Sequence, residues 1–206
     1  EATLLNGRQL ARVDILERRG NRLRLVEIKA KSWDAEKARE LAEQGRPWEF
    51  RAGKGGVNIA AKWRSYLEDV TYQCLLLESL FPEFQVEPVL CLVNKTARCV
   101  TDALPEQFDI VREAGPDGRT RLVSVRLLGD TRVAAGEQLT IEMAVRDEVE
   151  MLRDDVRTAT AMLLASYEPT LTRIAPTIGT ACRDCEYRVP RSSVSAGQRN
   201  GFAECW

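Results

Sequence analysis

The order of apolar and polar positions divides the chain into short alternating segments, two long segments of helical period, and a polar tail. Glu1 to Leu5 predicts a short strand that Asn6-Gly7 turns into a second one, since Asn-Gly between alternating runs is a strong hairpin signal. Arg12 to Lys31, RVDILERRGNRLRLVEIKAK, predicts two strands joined by a tight turn at Gly20-Asn21, with Asp14 in the first and Glu27 and Lys29 in the second. Side chains alternate faces along a strand, so Glu27 and Lys29 point one way and Val26 and Ile28 the other. Asp34 to Gln44 predicts a polar helix stopped by Gly45 and Pro47, and Gly53-Lys54-Gly55-Gly56 a mobile basic loop.

From Ala60 to Leu80, Trp63, Tyr66, Val70, Gln73 and Leu77 recur at three- and four-residue steps, the period of an amphipathic helix, which puts Gln73 on the core-facing stripe. Pro82 ends that helix. Phe84 to Val93 is an apolar strand in which Pro88 suggests a sheet edge or a bulge. Phe108 to Glu113 and Arg121 to Leu128 flank the turn signal Pro116-Asp117-Gly118. Leu139 to Tyr167 holds Val145, Val149, Leu152, Val156, Ala159 and Leu163 at helical spacing and predicts the longest helix. There is no internal repeat. The order of elements indicates an α/β or α+β domain with a mixed sheet over residues 1–168 and a cysteine-bearing tail, 169–206.

Composition narrows the partners. The 206 residues are 44% hydrophobic, enough for a core, and their charges nearly cancel to a formal net charge of -1, which excludes a globally basic nucleic-acid binder but allows a local basic stripe. No run reaches the roughly 18 apolar residues of a membrane span and no signal segment opens the chain, so a soluble, cytoplasmic protein without membrane association is expected. Glu1 at the start and Trp206 directly after Cys205 suggest a segment of a longer polypeptide, with further domains of the same chain as partners.

The candidate chemistry lies in the second hairpin. Asp14 and Glu27 with the carbonyl of Ile28 offer the hard oxygen donors that Mg²⁺ or Mn²⁺ prefers, and Lys29 adds a compact positive charge that can hold or deprotonate a water, or steady charge on a phosphate. The same three residues can equally form a solvated cross-strand salt bridge. Against that reading, both acids sit between apolar neighbours, VDI and VEI, where an unpaired carboxylate is costly.

Asp14 in ARVDIL, Glu27-Ile28-Lys29 in VEIKAK and Gln73 in TYQCLLLE together resemble the PD-(D/E)xK nuclease superfamily. Within it they are most similar to the branch of RecB and AddB nuclease domains and CRISPR-associated four-cysteine exonucleases. The resemblance covers Glu1 to Leu80 and the cysteine tail. It implies a restriction-endonuclease-like mixed sheet flanked by helices. Asp14, Glu27 and Ile28 would be metal ligands, Lys29 the catalytic lysine, Gln73 a residue that orients water or DNA, and Glu1 an upstream acid. The chain departs from the pattern in two ways: Leu76 and Leu77 stand where a Tyr commonly follows the Gln, and there is no His.

Six cysteines are too few for a disulfide scaffold. Cys74, Cys91 and Cys99 lie in apolar or strand-like segments and predict buried thiols. Cys182, Cys185 and Cys205 lie in an Arg-rich tail. The resemblance implies a 4Fe-4S cluster whose fourth ligand lies before Glu1, Cys74 being the weaker candidate; zinc or unmetallated thiols are the alternatives. CRDCEYRVPR and GFAECW also resemble the junction between such a domain and a following RNase H-like exonuclease domain.

For a nucleic acid, Arg46, Arg51, Lys54, Lys62 and Arg64 form a local basic group interleaved with Trp48, Phe50 and Trp63, and Arg183, Arg188, Arg191 and Arg199 surround the tail cysteines. Three readings follow: a Mg²⁺- or Mn²⁺-dependent DNA nuclease acting on single strands or ends, a non-catalytic module of the same fold that binds nucleic acid, and a zinc-stabilised α+β interaction domain.

Overall fold

The computed structural model describes residues 1–45, 49–99, 102–115, 118–128, 139–167, 169–189 and 200–205. It begins with two hairpins, β1 (Ala2–Asn6) with β2 (Gln9–Val13), and β3 (Ile15–Arg19) with β4 (Arg22–Trp33). The second turn needs Gly20, which adopts φ 61°, a region that side chains with a Cβ rarely enter. Helix α1 (Ala35–Glu43) follows, with the Asp34 carboxylate accepting from the Lys37 N–H as its N-cap.

The glycine-rich segment is a small hairpin of β5 (Arg51–Ala52) and β6 (Asn58–Ile59), closed by Gly53, Gly55 and Gly56 at φ 81°, 74° and 69°. Then come α2 (Ala61–Leu80), β7 (Gln85–Asn94), the hairpin β8 (Phe108–Ala114) and β9 (Thr120–Leu127), β10 (Thr140–Ala144), α3 (Arg146–Ala165) and the short α4 (Gly201–Cys205).

Among the described residues the largest sheet has four strands in the order β10-β7-β4-β3; β7 runs parallel to β4 and antiparallel to β10. This is a mixed sheet in an α+β chain, as expected. The chain forms two compact units, Glu1–Thr158 and Ala159–Trp206, the division falling inside α3. In the first unit the α2 residues Leu67, Val70, Cys74 and Leu77 join Leu23 and Leu25 of β4, Val86, Leu90 and Leu92 of β7, and Val149, Leu152 and Val156 of α3 in one apolar core.

Three expectations are corrected. Leu139 to Tyr167 is not helical throughout: Thr140–Ala144 is a strand whose Ile141 and Met143 are half-buried between exposed neighbours. With Val145, those residues alternate with a period of two, and the edge of β7 takes the strand. Ala159 and Leu163, read as part of the apolar stripe, are exposed.

Pro88, read as an edge or bulge signal, lies inside β7, paired with Leu25 of β4. Its carbonyl accepts from Val145 N–H at 3.1 Å, so the N–H it lacks would face the same side, where β10 has ended. An interior strand tolerates the proline because no partner strand stands opposite that position.

Leu67 is fully buried on α2, whereas Leu5 is 61% exposed on β1. Leu67→Ala should therefore lower stability by about 2–5 kcal/mol in a urea titration, and Leu5→Ala should stay within about 0.5 kcal/mol of the parent.

Candidate active site

One face of β4 carries Leu23, Leu25, Glu27 and Lys29 in succession, and its apolar half belongs to the core shared with α2. At Glu27 that face turns polar while remaining covered: Glu27 is 6% exposed. Its charge is met from two sides. Lys29 Nζ donates to Glu27 Oε1 at 2.6 Å, confirming that the two side chains share a face, and Gln73 Nε2 of α2 donates to Glu27 Oε2 at 2.8 Å.

Asp69, one helical turn before Gln73, closes the group. It accepts from Lys29 Nζ at 2.6 Å through Oδ2 and from Gln73 Nε2 at 3.2 Å through Oδ1. Two donors and two carboxylates thus form a ring of four hydrogen bonds between strand and helix. The ring also fixes the orientation of the Gln73 amide, since only its nitrogen can donate to both carboxylates. Its oxygen, Oε1, is buried and has no hydrogen-bond partner among the described residues.

Asp14 is not inside a strand as expected but in the bend between β2 and β3, half-buried. Pairing of β3 with β4 starts at Ile15 opposite Val26, so Ile28 lies beyond the end of β3. Its free N–H donates to Asp14 Oδ2 at 2.8 Å. In a strand the N–H and C=O of one residue share an edge, so the Ile28 carbonyl lies on the side of β4 that Asp14 occupies. Asp14, Glu27 and the Ile28 carbonyl are therefore gathered at one end of the β3–β4 pair.

Burial works against a charge on Lys29, but the hydrogen bonds and charges of Asp69 and Glu27 outweigh it and hold the ammonium above its ordinary pKa. Among the described residues no three His, Cys, Asp or Glu side chains are grouped to hold a metal ion. The donor chemistry nevertheless suits Mg²⁺, which commonly takes one or two carboxylates and completes its shell with water and substrate oxygens.

The expected nucleic-acid contacts are engaged within the fold. Arg51 binds Glu148 at 2.6 Å and Asp147 at 3.2 Å, tying the β5–β6 hairpin to the start of α3. Lys62 is paired with Glu49, and Arg64 with Glu68 and Asp155, both at 2.7 Å. Lys54 is exposed on the hairpin. Phe50 and Trp63, read as stacking platforms, are core residues at 2% and 1% exposure with ring centroids 5.0 Å apart, so bases cannot reach their faces. Arg46, Trp48, Arg191 and Arg199 lie outside the described residues; Arg183 and Arg188 are exposed. Glu1 is exposed too, 3.8 Å from Arg12.

Cys182, Cys185 and Cys205 are half-buried free thiols, and the Cys182 sulfur accepts from Gly179 N–H at 3.3 Å. Cys74 is buried, its thiol pushed up to about 12 by desolvation, an environment that opposes the thiolate a metal needs. Cys91 is half-buried, and Cys99 is exposed rather than buried.

Asp69 and Tyr66 were not singled out among the site residues expected from the sequence. Their signal was present as spacing: Tyr66, Asp69 and Gln73 follow the same three- and four-residue steps as the stripe.

Lys29→Met and Glu27→Gln should be non-additive by about 0.5–3 kcal/mol in chemical denaturation. A raised lysine pKa contributes stability that is complete below the unfolded value, about 10.4, and is lost as pH rises through the folded one. On the alkaline side the coupling should accordingly hold from neutral pH until strong alkali; additive effects at neutral pH would mean that the pair does not form in solution.

Comparison of the chain with family models, curated proteins and solved structures gives no match.

Proposed function

We propose that the chain is a Mg²⁺- or Mn²⁺-dependent nuclease of the PD-(D/E)xK type that hydrolyses DNA phosphodiesters on single strands or at ends. The observation that carries the reading is the convergence of Glu27, Lys29 and Gln73 in one hydrogen-bonded group, with Asp14 at the adjoining strand end.

In this reading Asp14, Glu27 and the Ile28 carbonyl hold the divalent ion. When bound, the ion lowers the pKa of a water and balances charge on the phosphate. The residues of the chain supply the rest. Gln73 holds the Glu27 carboxylate from the helix side, so that its oxygens cannot turn into the core. Lys29 presents its side chain to a water or phosphate oxygen beside Glu27, where a positive charge steadies developing negative charge. Asp69 keeps that ammonium in place. The buried Gln73 Oε1 is an acceptor for an ordered water.

For the tail, the reading assigns Cys182, Cys185 and Cys205 to a 4Fe-4S or zinc site completed from elsewhere, supported by the C-x-x-C spacing. The competing reading, a non-catalytic module of the same fold, draws on the engagement of both Glu27 oxygens by Lys29 and Gln73.

Labelled single-stranded DNA should be cut with Mg²⁺ or Mn²⁺ and left intact with EDTA. Asp14→Asn and Lys29→Ala, each checked for folding by circular dichroism, should lose about 10²-fold or more in rate. Undiminished cleavage by either folded variant would sink the assignment, and binding without cleavage in any divalent ion would favour the non-catalytic module.

Iron and zinc analysis of anaerobically prepared protein tests the tail. Metal should be present in the parent and fall in Cys182→Ser; equal content in both would remove these cysteines from the proposal.

A further inference from the structure

Beyond Lys29 the β4–β7 ladder is interrupted. Lys29 pairs with Leu92 and Ser32 with Val93, so Ala30 and Lys31 stand opposite no β7 residue. Such bulges re-aim side chains and recur beside active sites. Here Lys31 Nζ lies 5.1 Å from the Trp63 ring centroid and 5.2 Å from that of Tyr66. Lys29 Nζ lies 6.0 Å from the same Tyr66 ring, so the two ammonium groups flank one aromatic side chain at the candidate site.

The two lysines differ in how their charge is met. Lys29 is neutralised by Glu27 and Asp69. Arg51, Lys62 and Arg64 are likewise paired with carboxylates. Among the described residues Lys31 has no ion-pair partner. An aromatic face attracts a cation without cancelling its charge, so the bulge and the two rings hold Lys31 in place while leaving its ammonium able to bind an external anion. A compact point charge with three donors suits a phosphate.

We propose that Lys31 is a phosphate-binding residue of this site, its ammonium seated on Trp63 and Tyr66 and contacting the backbone of a single-stranded nucleic acid beside the position of cleavage. The inference rests on the nuclease reading for its ligand, and it names the residue that anchors the strand. A contact of this kind fixes position without reading sequence.

The test is anisotropy of a labelled oligothymidylate in EDTA over a salt series, using the whole chain and its Lys31→Met, Lys31→Gln and Lys31→Arg variants. One lost single-strand phosphate contact makes the slope of log K against log salt shallower by about 0.7. That change should appear in Lys31→Met and Lys31→Gln, and Lys31→Arg should keep the parent slope. A parent slope in Lys31→Met, whatever its affinity, would overturn the assignment. Absence of DNA binding by the parent would overturn it together with the nuclease reading, whereas the expected slopes without cleavage in Mg²⁺ would support Lys31 and remove the catalytic claim alone.

Discussion

A carboxylate that is 6% exposed between a strand and a helix persists only if its charge is answered on the spot, and Glu27 is the point on which the candidate site depends. Little of it faces solvent, so its two oxygens draw donors from the fold. β4 supplies one, because a period of two brings Lys29 onto the same face. α2 supplies the other, because Gln73 stands on the stripe that packs against that face. Asp69 then accepts the second N–H of Gln73 and a second of the three N–H groups of Lys29. Removing one member leaves a covered charge or donor short of a partner, so the polar ring helps to set the register of the helix against the sheet.

The same strand explains the position of Asp14. β3 pairs with β4 only as far as Val26, which leaves the Ile28 N–H without a ladder partner at the point where the face has become polar. A main-chain donor in that position is satisfied by a side chain from the bend that starts β3, and a carboxylate is the strongest such acceptor. The end of the ladder thus gathers an acid, a strand carbonyl and Glu27 through ordinary backbone accounting.

Much of this was legible in the sequence where the governing rule is local. The turns at Asn6-Gly7 and Gly20-Asn21, the shared face of Glu27 and Lys29, and the core-facing Gln73 all follow from alternation or helical period within a few residues. What was not legible depended on partners far along the chain. Thr140–Ala144 is a strand because β7 offers an edge, and the alternation of Ile141, Met143 and Val145 is too short to stand out beside the helical stripe that follows. Pro88 sits in an interior strand because β10 stops where the missing N–H would point. Asp69 reads as an ordinary solvated helix acid until Lys29, distant in sequence, is placed against it. Trp63 and Phe50 looked available to bases because aromatic residues near arginines suit either a core or a surface, and only packing against Trp33 settles the matter.

Charge distribution bears on what such a site can bind. A chain of net charge -1 attracts a polyanion only where its cations are not already answered by its own carboxylates. The arginines and lysines nearest in sequence to the proposed site are largely spent on holding elements together: Arg51 joins a hairpin to α3, Arg64 joins α2 to α3, and Lys29 joins β4 to α2. Basic residues close to an acidic site are therefore poor evidence of nucleic-acid binding by themselves, since the fold uses the same groups as ties. The informative cation is one whose position is fixed by something other than a carboxylate. At Lys31 a bulge in β4 and two aromatic rings do that work, so a positive charge stands on the Tyr66 ring that Lys29 also approaches, and no internal acid among the described residues pairs with it.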